Sequence, residues 1–178
     1  MFMGFLKGFG IGLVVFLALN FVFSLIVAAV DGAIGFFFVN FAQWENFFYV
    51  LLGPITTAPW VNLFGWELGG SILVDGLLGA SVAGEIALIL QYIFAIVSPL
   101  IASILTGRFA GGKRFAFLAW FLISILSGAL LLIPELLNAP FATGTIYGII
   151  TLITLIPCMI NGVFYAPFGM AVSEAEFY

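Results

Sequence analysis

An all-α, polytopic transmembrane helix bundle is the fold this sequence predicts, and three observations predict it. The chain is 65% hydrophobic with only 7% charged residues and a mean hydropathy of +1.33, whereas soluble domains are roughly half apolar. Its apolar runs are long enough to cross a bilayer core, which takes about 20 residues of helix. Its four basic residues, Lys7, Arg108, Lys113 and Arg114, sit in two short places that flank those runs. One integral membrane domain covers residues 1–178, with no repeat, linker or low-complexity tail dividing it.

The first span, about 8–30, is uncharged and follows Lys7. A cleaved signal peptide is the rival reading, but the run exceeds the roughly 7–15 residues of a signal core. The second span, about 82–107, ends at Gly107-Arg108. The third, about 115–134, begins straight after Lys113-Arg114 and closes at Pro134-Glu135. The fourth, about 143–168, carries Pro157 and precedes the acidic tail Ser173–Glu176. Cytoplasmic loops carry an excess of Lys and Arg, so Lys7 and the 108–114 loop belong on one side. Residues 8–107 then cross an even number of times, both termini are cytoplasmic in a cell membrane, and Asp31, Glu45, Glu67, Asp75 and Glu135 fall towards the outer face.

Region 31–80 departs from the simple pattern of spans. Residues 34–52 read as a single helix, with Phe37, Phe41, Trp44 and Phe48 on one face and Asn40, Gln43 and Asn46 on the other. Such segregation suits a helix in the outer interface, or a short re-entrant piece packed on the bundle. Pro54 and Pro59 break it. Residues 60–80, with Trp60, Trp66, Glu67, Gly69-Gly70 and Asp75-Gly76, are too polar and glycine-rich for a lipid-facing span. Four crossings are expected, with six as the alternative.

The residue inventory excludes much chemistry. The chain has no histidine and one cysteine, Cys158, which removes the usual general base, the commonest metal ligand and any internal disulfide. Net charge is -4, and phosphate binding needs clustered cations, so nucleic acid is not an expected partner. No cofactor, metal or nucleotide signature is present, and no enzyme activity is expected.

What remains is a set of intramembrane polar groups. Glu85, near the start of the second span, is the ionisable candidate for a proton or cation site, with Gln91 and Asn20 as polar partners and Asn161 completing the set. Set against this, Glu85 lies within a turn of the outer boundary and reaches water, and amides in apolar spans also serve as helix-packing glue. Gly4, Gly8 and Gly12 repeat every four residues and form a candidate helix-packing face. Pro99 and Pro157 each free a backbone carbonyl about a turn upstream, which Thr151 and Thr154 are placed to re-satisfy near Pro157.

Two functions follow. The leading one is a non-catalytic subunit packed into a larger membrane complex, its partners being lipids and other membrane chains or copies of itself. The alternative is a small solute or cation transporter component with a site between helices. A membrane-embedded enzyme comes third, because only carboxylates are available to it.

Overall fold

Uncharged runs in hydrocarbon become helices because each backbone N–H and C=O must find its partner within the segment. A computed structural model describes residues 2–56, 85–139 and 143–173. It holds α1 (Phe2–Val30), α2 (Ile34–Phe41), α3 (Trp44–Leu52) with a 3-10 turn at Gly53–Ile55, α4 (Ile86–Phe109), α5 (Lys113–Leu137) and α6 (Gly144–Val172). There is no strand among the described residues. Among the described residues four helices, α1, α4, α5 and α6, are long and apolar enough to cross a membrane. Residues 57–84, where the sequence leaves a fifth and sixth crossing open, lie outside the described residues, as does the acidic tail from Glu174.

The spans run longer than the uncharged stretches. Helix α5 passes through Pro134 and Glu135 to Leu137, because a proline in the last full turn costs one backbone bond and Asn138 N–H closes on Pro134 O at 3.0 Å. Helix α6 likewise continues through Pro167 to Val172.

The most extensive pairings are α5 with α6 and α1 with α4. Contacts set the directions: Phe5 meets Phe115 and Phe16 meets Trp120, so α1 and α5 run parallel, while Gly12 meets Thr106 and Phe23 meets Phe94, so α1 and α4 run antiparallel. Trp120 is fully buried and takes Phe16 and Tyr165 edge-on at centroid distances of 5.9 and 6.3 Å. Each such contact adds about 0.5–1.5 kcal/mol beyond burial. Ile123, Leu131, Ile55 and Cys158 complete the core. Val14, Leu118, Leu152 and Val163 are exposed on the outside, the arrangement a lipid solvent favours.

This packing gives the bundle a basic and an acidic end. Gly4 and Gly8 abut Ala110, which brings Lys7 beside the 108–114 connection. That connection turns tightly because Gly111 and Gly112 adopt φ of 72° and 149°, a region L side chains rarely enter. Val30, Ile86, Leu137 and Gly144 lie at the opposite end, near Asp31, Glu85 and Glu135.

Residues 34–52 are not the single helix expected from the aromatic stripe. The helix stops after Phe41, Gln43 turns extended (φ -78°, ψ 125°) as the N-cap of α3, and Asn46 Nδ2 donates to Gln43 Oε1 at 2.9 Å. The break is favoured by packing. It lets Phe41 meet both Phe21 (5.1 Å) and Phe47 (5.3 Å), contacts a straight helix would not make together. Phe37–Phe41 and Trp44–Phe48 keep the expected i, i+4 contacts inside their own short helices.

Candidate solute site

Helix α3 descends into the bundle instead of lying flat on it. Leu52 and Ile55 are buried at 3% and 0% exposure. A helix end placed there leaves carbonyls without intrahelical partners, and the chain supplies amides for them. Asn20 Nδ2 donates to Leu51 O at 2.6 Å, and Asn161 Nδ2 donates to Ile55 O. Asn20 lies ten residues from Val30, about 15 Å along α1, and Asn161 lies seventeen from Gly144, about 25 Å along α6. The 3-10 turn therefore sits at mid-height of the bundle. The buried 3-10 turn departs from an interfacial helix lying flat on the bundle.

Above that turn, towards the acidic end, lies a cavity of about 730 Å³. Helix α1 contributes Asn20, Phe23 and Ser24, with Asp31 just past its end. Helices α2 and α3 contribute Phe36, Phe37, Asn40, Asn46 and Tyr49, and α4 contributes Gln91, Tyr92 and Phe94. Asn40 and Asn46 of the amide face thus become cavity wall, together with Phe37 of the aromatic stripe. Asn20 is the deepest lining residue on α1, held by Leu51 O and by Ser98, whose hydroxyl donates to Asn20 Oδ1. Both its amide atoms are engaged, so it shapes the cavity floor. Tyr49 ties the mouth to α5 by donating to Glu135 Oε1 at 2.6 Å. Burial first, then that carboxylate, raises the Tyr49 pKa above the usual phenol range and keeps it the donor.

The four polar residues singled out in the sequence separate. Asn20 and Gln91 line the cavity. Asn161 is fully buried on α6, engaged with Ile55. Glu85 is exposed at the N-cap of α4 with no side-chain cap hydrogen bond, and is not among the lining residues. Glu85→Gln is accordingly expected to shift the melting temperature by no more than about 2 °C; a loss well beyond that in a detergent melt would place the carboxylate in a structural contact.

Gly4, Gly8 and Gly12 form a packing face, directed within the chain. A Cβ at Gly4 would approach Ala110 O to 2.8 Å, one at Gly8 would approach Thr106 O to 2.8 Å, and one at Gly12 would strike Thr106 Oγ1. Thr151 and Thr154 do not take the carbonyl of Ile153 that Pro157 frees. Their hydroxyls bond Tyr147 O and Ile150 O, each a turn back on α6. Sequence reasoning passed over Ser98, the Tyr49–Glu135 pair and the Gly107–Gly169 contact between α4 and α6. A serine in an apolar run carries too weak a signal to find, and the other two join residues far apart in the chain.

No protein-family model, curated protein sequence or solved structure matches this chain.

Proposed function

We propose that this chain is a non-catalytic, multi-pass membrane protein that holds a small solute between its helices, as the membrane-embedded binding component of a transport assembly. The observation that supports it is the cavity walled by α1 to α4. Its volume falls in the roughly 300–1,000 Å³ range of small-molecule sites, and it pairs apolar rings with a few convergent polar groups. A floor fixed by Asn20, Ser98 and Leu51 would keep such a site in shape. The expected result is that a panel of small neutral and charged solutes contains members that raise the melting temperature of the purified chain in a dose-dependent way. A panel without a single such member would count against the reading.

The second reading is a structural subunit of a larger membrane complex. Its support is the exposed apolar surface of α1, α2 and α6, which suits lipid and partner chains alike. The small-residue face that would have seated a partner is instead used up against α4. Stoichiometric co-purification of other membrane chains, with no solute binding, would favour it.

The proposed orientation puts the basic end in the cytoplasm of a cell membrane, with both termini there and the cavity opening outward. A cysteine introduced at Gly112 should then resist a membrane-impermeant thiol reagent in intact cells. Labelling from outside would invert the topology.

A further inference from the structure

We propose that the cavity takes an organic cation, a substituted ammonium carrying an apolar or aromatic body; this deepens the solute-binding reading and rests on it. Charge is the first argument. The whole chain has four basic side chains and no histidine, and all four cluster at the far end of the bundle. Lys7 and Asp31 are separated by twenty-four residues of α1 and its end, about 36 Å of helix, far beyond the reach of a side-chain ion pair. An anion in the cavity would meet no side chain able to neutralise it. A cation meets Asp31 in the lining, with Glu45, Glu85 and Glu135 around the same end to draw it in.

Ring geometry is the second argument. Phe23 on α1 and Phe94 on α4 stack at 4.1 Å and 11°, each covering a face of the other, and close one wall, while Phe36, Phe37, Tyr49 and Tyr92 are the further rings of the lining. Ring faces attract ammonium groups, most strongly where water is partly excluded. A hard divalent ion is a poor match for the charge, since among the described residues the lining carries a single carboxylate, Asp31. Ser24, Asn40 and Gln91 supply oxygens that can accept from N–H groups on the cation.

The test uses the full chain in phosphatidylcholine nanodiscs, titrated calorimetrically with benzyltrimethylammonium, benzyl alcohol and benzoate. The cation should bind saturably, at least about tenfold more tightly than benzyl alcohol, and benzoate should not bind. Asp31→Asn should weaken the cation by about three- to tenfold and leave benzyl alcohol unchanged. Phe36→Leu, which keeps an apolar wall but removes a ring from the lining, should weaken it by about threefold or more. Gel filtration confirms that each variant is folded. Binding of benzyl alcohol or benzoate as tight as the cation's, or no change in cation affinity in either variant, would overturn the inference while leaving the solute-binding reading in place. Absence of saturable binding by all three probes would overturn it too, with the broader reading then judged by its solute panel.

Discussion

Gly107→Val is expected to destabilise the bundle by about 2–3 kcal/mol, the largest loss of any single substitution considered. A Cβ built on Gly107 lands on the backbone of Gly169, and one built on Gly169 lands on Ser103 O. Backbone cannot rotate aside as a side chain can, so α4 and α6 must separate, and overpacking of this kind costs typically 1–3 kcal/mol. Gly12→Ala should cost less: its obstacle is the Thr106 hydroxyl, bound to Ala102 O at 2.8 Å, and a side chain can shift. Gly148→Ala is the control, since nothing lies within 4 Å and alanine is the better helix former. Thermal and SDS-titration melts of the three variants give the order. A Gly107→Val protein that melts with the parent would mean that α4 and α6 are not in backbone contact there.

The helices themselves were legible because lipid leaves little choice: an uncharged run of that length has one way to satisfy its backbone. The basic cluster told which helix ends lie together, and Gly4 against Ala110 bears that out. The aromatic and amide faces of 34–52 were legible only in part: Asn40 and Asn46 line the cavity, but so does Phe37. What could not be read was the break at Gln43, since neither glycine nor proline marks it and the gain comes from Phe21 and Phe47, which are distant or off the stripe. The same limit governs the polar residues. Glu85, Gln91, Asn20 and Asn161 look alike as polar interruptions of apolar sequence, yet Glu85 lies outside the cavity, Gln91 and Asn20 line it, and Asn20 and Asn161 hold a helix end. Their roles depend on where α3 enters, and that is a tertiary fact. Gly107 was noted only as the end of a span, because its reason for being glycine is Gly169, sixty-two residues away.

Asn161→Leu is expected to loosen the buried 3-10 turn at Gly53–Ile55. The leucine fills similar space, so the main loss is the hydrogen bond to Ile55 O, a carbonyl that would be left buried without that donor. Such an orphan costs about 1–3 kcal/mol, although hydrogen bonds between membrane helices average nearer 0.6 kcal/mol where the disrupted state finds substitutes. Pro54 limits substitution here, since the turn's backbone has one donor fewer to rearrange with. We therefore expect about 1–2 kcal/mol, concentrated in local opening of residues 51–56 and not in global unfolding. A cysteine at Thr56 reports it: at about 1.4 kcal/mol per tenfold, maleimide labelling should quicken roughly tenfold in the Asn161→Leu background. Cys158 is buried and supplies a slow internal reference. Asn20→Leu should act in the same direction, and the double variant should open further than either, because the two amides hold different carbonyls of one turn. Equal labelling rates in all four proteins would show that the amides do not anchor α3, and the cavity floor would then lose its stated cause.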